Sequence, residues 1–384
     1  MQNEELERDL ERTEEQESCT PVKEKEYRLP RWCLVLLSIA AVALVLYLLA
    51  MLIPTLADGY NSTVGAFFRA LLAHLTSFLP FSLAEILLFS LPVLVVLLGV
   101  VIYRRHSETL RDALFFLTKL LCAVSVLFST FVFSFGVGYH THTLDERLSL
   151  PPCEVNRETL SAATALVIGE LNVLSTEMTY GEDGFSVMPY DHSEMNEKLL
   201  AAYLPVCEQY AFIQRLNSRV KPVLASHAMS YTHITGVYTY FTGEANLNVY
   251  FPDYTLPFTA AHELAHQRGI ARENEANFVA FLVTSGAEDP YIRYSAYLNM
   301  YEYLANALYR TDKDAHRALL ETLDGRVRAE LRAYSAFFDE FRDSAVSELS
   351  DAVNDAYLKL NGSEAGTQSY GLVVELAVAH LLGE

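Results

Sequence analysis

Three long apolar runs occupy the N-terminal third of this 384-residue chain and limit the folds open to it. Trp32 to Ile53 is almost wholly apolar and uncharged. Leu83 to Tyr103 carries only Glu85, close to its start, and Ala113 to Val137 only Lys119, near its beginning. Each is long enough to cross a hydrocarbon core, which needs about 20 residues. Helices buried in a soluble core normally keep a polar face, and these runs have none, so three membrane spans are expected. Pro92 interrupts the second.

The basic residues set the expected orientation. Lys23, Lys25, Arg28 and Arg31 precede the first run, and Arg104, Arg105 and Arg111 lie between the second and third; the loop from Pro54 to Ser82 has only Arg69. Positive-inside places the N-terminus and the second loop in the cytoplasm and everything after about Gly138 outside. The hydrophilic lead-in and the length of the first run argue against a cleavable signal peptide. The expected organisation is an acidic, disordered cytoplasmic tail (1–31), a three-span membrane region (32–138) and an extracytoplasmic domain (139–384). The formal net charge of −20 leaves no basic stripe for nucleic acid. No Gly-rich loop precedes Lys-Ser or Lys-Thr, so nucleotide phosphates have no cradle.

One segment carries a chemistry in its spacing. Phe258 to Leu282 contains His262-Glu263-x-x-His266. On a helix, residues four apart share a face, so both imidazoles can reach one metal ion. Glu263, about 100° round the helix, can hold a water on that metal without ligating it. Two His ligands, a general-base Glu and an open position make up the zinc-peptidase arrangement.

Gly269 suits a turn after this helix, and ARENEANFVAFL reads as a second helix with Phe278, Val279, Phe281 and Leu282 as its apolar side. That hairpin folds an acidic residue back towards the imidazoles, where catalytic zinc wants a third ligand. Glu273 is favoured and Glu275 is the alternative; about 200° separates them round the helix, so both cannot easily ligate at once. Glu273 places Asn277 at i+4, where it can hydrogen-bond a ligand imidazole. The E-x-x-x-N pattern resembles the E-x-x-x-D of the gluzincin metallopeptidases, with Asn in place of Asp.

Together with FTGEANLN (Phe241 to Asn248) and NGSEAGTQSYG near the C-terminus, HELAHQRGIARENEANF resembles a bacterial membrane family catalogued as domain of unknown function 3810. That family is grouped by likeness with HExxH zinc peptidases. The resemblance implies a membrane-anchored, gluzincin-like peptidase and leaves the substrate open.

The fold expected is mainly α: three transmembrane helices, then a mostly helical zincin-like domain with a small hairpin or sheet before the metal helix. Arg157 to Met178, Ser193 to Val220, Tyr291 to Tyr309 and Asp314 to Leu349 have helical periodicity. Tyr231 to Tyr254 is rich in Tyr, Thr, Val and Phe and suggests two or three short strands. Such strands can form a small structural sheet or an edge that binds peptide by strand addition. Glu244, Asn246 and Asn248 stand there as cleft lining or as turn chemistry. Tyr370, or Tyr294 and His233, could stabilise a tetrahedral oxyanion. Cys153 and Cys207 fall in the outer domain, either disulfide-linked or as separate thiols. Asn61-Ser62-Thr63 reads as an ordinary turn.

The activity expected is hydrolysis of a peptide or protein, or of a cell-envelope peptide, by a Zn2+-bound water with Glu263 as base, next to membrane lipid. The alternatives are an inactive membrane sensor or scaffold that binds peptides or envelope components, and a zinc amidase acting on cell-wall peptides.

Overall fold

A computed structural model of the chain describes residues 29–105, 110–342, 345–360 and 370–383. The acidic tail, the 106–109 link and the Gly-containing loop at 361–369 lie outside the described residues. The three apolar runs form helices α1 (Arg31–Leu52), α4 (Leu83–Arg105) and α5 (Leu110–Ser134), and each contains a stretch long and apolar enough to cross a membrane. Pro92 is accommodated within α4. Most of their large apolar side chains face outward. The α1 and α5 helices pack closely through Ala43, Ala50 and Val132, small side chains letting the backbones approach. Ser125, Ser129 and Ser134 of α5 return their hydroxyls to carbonyls three or four residues back, which keeps those groups satisfied in an apolar setting.

The stretch between the first two spans is helical rather than a loop. It runs through α2 (Pro54–Tyr60), a π-helical turn (Asn61–Gly65) and α3 (Ala66–Ser77). Asn61, read from sequence as part of an ordinary turn, is buried because the π turn points it inward at Arg69. Arg69 is itself fully buried. Its Nη1 donates to Asn61 Oδ1 (2.8 Å) and to the Ser134 carbonyl, its Nη2 to the Asn61 carbonyl, and its Nε to Gln214 Oε1. Asn61 Nδ2 in turn donates to the Gly269 carbonyl at 2.9 Å. A guanidinium offers five donors in a fixed fork, and these partners use most of them.

Beyond α5 a 3-10 turn (Gly136–His140) leads into the C-terminal region: α6 (Leu144–Leu148), α7 (Arg157–Leu174), α8 (His192–Gln209), β1 (Lys221–Pro222), α9 (Ser226–Ser230), β2 (Gly236–Thr239) and β3 (Glu244–Leu247). Then follow α10 (Thr255–Gln267), α11 (Glu273–Ser285), α12 (Pro290–Thr311), α13 (Lys313–Thr322), α14 (Gly325–Phe338), α15 (Ala345–Leu360) and α16 (Tyr370–Leu382). A capping box between Asn156 and Thr159 starts α7, and Asp289 caps α12. One continuous core joins α7, α10, α11, α12 and α16.

The sheet has the order β1-β3-β2, with β1 parallel and β2 antiparallel to β3. The strands are shorter than the Tyr-rich composition suggested, GVYT and EANL, and β1 was not visible in that pattern. Val237 faces Asn246 and Tyr238 faces Ala245, which leaves β2 at one edge. Cys153 and Cys207 are both free thiols.

Candidate metal centre

The centre is built on α10 and the first turn of α11. Every residue of α10 is buried except His262, so the helix is held from all sides. Pro257 sits in its first turn, where a missing N–H costs nothing. At the other end the buried Arg268 donates from Nη1 to the Leu264 carbonyl and from Nη2 to that of Leu216, while its guanidinium lies 4.1 Å above the Tyr203 ring. A cation there satisfies carbonyls that the helix end leaves open.

The chain then reverses at Gly269, whose φ of +97° favours glycine. A Cβ there would come within 2.6 Å of Arg69 Nη2. The reversal brings Glu273, at the start of α11, against the two imidazoles: Glu273 Oε2 lies 3.1 Å from His262 Nε2, and Oε1 3.5 Å from His266 Nε2. One donor atom from each of the three residues falls within 4.8 Å of the other two. His266 Nδ1 is 2.7 Å from the Ile270 carbonyl. The only arrangement that makes this a hydrogen bond has Nδ1 protonated and donating, which turns the Nε2 lone pair of the neutral ring towards the cluster.

Glu275 takes a different part. Buried on the other side of α11, it accepts from Arg272 Nη1 at 2.6 Å and from the Leu144 backbone N–H at 3.1 Å. Arg272 also donates to the carbonyls of Tyr139, Thr141 and His142. The Arg272–Glu275 pair thus fastens the segment leaving α5 to the helix that carries Glu273. The expected imidazole partner Asn277 makes no hydrogen bond to His262 or His266 among the described residues. The Gly269 reversal supplies the Ile270 carbonyl to His266 instead, and His262 Nδ1 is buried without a partner.

Glu263 lies beneath the edge strand. The Tyr238 backbone lies near its carboxylate and favours the charged form, while Oε2 is buried with no partner among the described residues. The fit is close: a Cβ on Gly236 of β2 would come within 2.6 Å of Glu263 Oε1. Burial pushes Glu263 up to about 7, against the opposing pull of His262 and His266. For His266, burial acts downward, but the Glu273 carboxylate outweighs it and lifts the ring to about 9. For Glu273, burial acts upward, but His266 and His262 hold it well below the usual carboxylate range.

The other candidate residues are engaged elsewhere. Glu244 accepts from Lys221 Nζ at 2.6 Å and from the backbone N–H groups of Leu83 and Ala84. Asn246 and Asn248 serve local backbone and Ser230. Tyr294 donates to Glu330 at 2.5 Å, and His233 Nε2 contacts the Phe341 carbonyl at 2.8 Å. Tyr370 opens α16, but its side chain lies outside the described residues.

Residues that sequence reading passed over also shape the site. Phe135 meets His266 edge to face with ring centroids 5.8 Å apart, and Gly236, Ile270 and Arg272 act as described above. Only Gly236 left a signal, as a glycine inside a strand-like run.

No curated protein and no solved structure matches the chain. A family model does, that of the proteins of unknown function DUF3810, over residues 60–378. The matched span starts before the buried Arg69 and takes in the sheet, both helices of the centre and most of α16, so the chain belongs to the DUF3810 family.

Proposed function

We propose that the chain is a membrane-anchored zinc metallopeptidase whose outer domain hydrolyses peptide bonds. The observation that carries this reading is the convergence of His262, His266 and Glu273 beside a buried Glu263 oxygen that lacks a partner. Two neutral imidazoles and a carboxylate form a standard catalytic zinc set, and zinc held there would polarise a carbonyl and acidify a water. The chain's own residues supply the rest. His266 is locked by Ile270 in the tautomer that offers Nε2, and the low proton affinity of Glu273 keeps its carboxylate ionised. Gly236 of β2 packs closely on one oxygen of Glu263 and leaves Oε2 to take a proton from water and pass it to the leaving amine.

A site that only bound peptide would give the buried Glu263 no task, and this favours an enzyme over a sensor or scaffold. The edge strand β2 lies directly above Glu263 and suits an extended peptide, which could add to it as a further strand. The charge bias of the connecting loops favours an outward-facing domain.

The test is metal content and peptide hydrolysis of the full chain in detergent. The reading predicts that Glu263→Gln keeps zinc and loses turnover, while His262→Ala loses both. Full turnover in Glu263→Gln would remove it.

A further inference from the structure

The outer ends of all three spans converge on the layer of the molecule that holds the metal centre. Phe135 is the first residue past α5, and besides His266 it meets Tyr238 of the edge strand, 5.2 Å between centroids. One turn earlier, inside the span, Phe131 meets Tyr240 at 5.2 Å, and Ser134 Oγ lies 3.3 Å from the Tyr240 carbonyl. The same hairpin holds the start of α4, where Glu244 accepts from Leu83 and Ala84. In the last two turns of α1, Tyr47 packs edge-on against His140, 4.8 Å between centroids. Phe135 directly follows α5 and its ring centroid is 5.8 Å from that of His266, so His266 lies within roughly 10 Å of the end of the third span. The headgroup layer on each side of a bilayer is about 5–8 Å deep. His266 therefore sits at the level of the headgroups or just above them.

The α3 helix gives a second, independent mark of that level. Phe67, Leu71 and Leu75 line one face and are 62%, 41% and 55% exposed, and Phe78 just beyond is 75% exposed. The opposite face, with Arg69, Ala73 and Thr76, is buried. A helix between two spans with its apolar stripe outward and its polar anchor inward lies in the membrane interface. Its inner face packs on the hairpin turn so closely that a Cβ on Gly243 would come within 2.6 Å of Leu72 Cβ. The interfacial helix, the span ends and the edge strand therefore share one layer.

We propose that the centre acts on polypeptides anchored in the same bilayer and cuts them within the first few residues outside their span. This rests on the metallopeptidase reading above. The step is simple hydrolysis: the C–N bond breaks, the water oxygen joins the acyl carbon, and the water's proton goes to the amine. An extended chain covers about 3.3–3.6 Å per residue, so a height of up to roughly 10 Å corresponds to up to about three residues. A tethered segment reaches that height at an effective concentration in about the millimolar range, whereas a free peptide must enter the headgroup layer unaided.

The test uses the zinc-loaded full chain in vesicles of phosphatidylcholine and phosphatidylglycerol. The probe is a pool of peptides with a randomised segment, supplied either free or fused to a leucine-alanine span of about 20 residues, with new termini read by mass spectrometry. The expected result is cutting of the anchored pool by wild type and not by Glu263→Gln. Cuts should cluster about three to six residues from the span, and the free pool should be cut roughly tenfold or more slowly. Equal cutting of both pools, or cuts at positions independent of the span, would overturn the inference and leave the peptidase reading standing. Absence of cutting in both pools would overturn the peptidase reading and this inference with it.

Discussion

Phe135 and His266 meet edge to face, 5.8 Å between ring centroids, so the residue that leaves the third span also walls the metal centre. Arg272 repeats the relationship through polar contacts. Adjacent in sequence to Glu273, it holds three carbonyls of the segment leaving that span. The apolar helix α5 and the helix that bears Glu273 are thereby one mechanical unit, and the predictions below follow from that coupling.

Glu273 and Glu275 should separate cleanly. Glu273→Gln is expected to lose zinc while the protein stays folded, since its carboxylate faces only the imidazoles. Glu275→Gln should keep zinc wherever the protein is folded but lower its stability by about 1–3 kcal/mol, because the half-buried Arg272 loses its counter-ion and the Leu144 N–H its charged acceptor. Metal analysis beside thermal unfolding checks both.

Metal affinity should depend on pH in a stated direction. His266 in the metal-free protein holds its proton up to about 9, and zinc must displace it. Apparent zinc affinity is therefore expected to rise by about tenfold per pH unit up to that value and then level off. The same raised value favours the metal-free fold most at low pH, and that contribution fades as pH rises through about 9. Zinc titrations at several pH values, carried out in Glu263→Gln, read the slope. A flat profile would contradict the His266–Glu273 pairing.

Gly236 should act as a positioning residue for the base. An added Cβ collides with the Glu263 carboxylate, so Gly236→Ala must push that group aside. A displacement of about 1 Å at a reacting group costs on the order of 100-fold in rate. Turnover is expected to fall by that factor with zinc content unchanged, and kcat should fall more than KM changes.

Arg69 should matter to stability and little to zinc stoichiometry. Arg69→Met leaves Asn61 Oδ1 and two backbone carbonyls without their donor. At about 1–3 kcal/mol for each unsatisfied buried group, the loss should be about 3 kcal/mol or more. Thermal unfolding of the full chain in detergent measures it.

The spans and the H-E-x-x-H helix were legible in the sequence because each is a one-dimensional pattern, an unbroken apolar run or an i, i+4 spacing. The position of Glu273 beside the two imidazoles was legible for the same reason, through Gly269 and the second helix. The Arg69 clamp was hidden because its partners, Asn61, Ser134 and Gln214, are brought together only by packing. The hydrogen bond from His266 to Ile270 was hidden because a backbone carbonyl leaves no trace in residue type. The stretch from Pro54 to Ser82 misled because its helix turns its apolar side outward, the reverse of the pattern expected for a soluble domain.

The central claim is that His262, His266 and Glu273 hold one zinc ion, and zinc-edge X-ray absorption on the purified full chain tests it most directly. The account predicts one zinc per chain with two imidazole nitrogens at about 2.0–2.1 Å and oxygen ligands at about 2.0–2.2 Å, and loss of bound zinc in Glu273→Ala. Absence of zinc under replete conditions, or a ligand shell unchanged by Glu273→Ala, would contradict it.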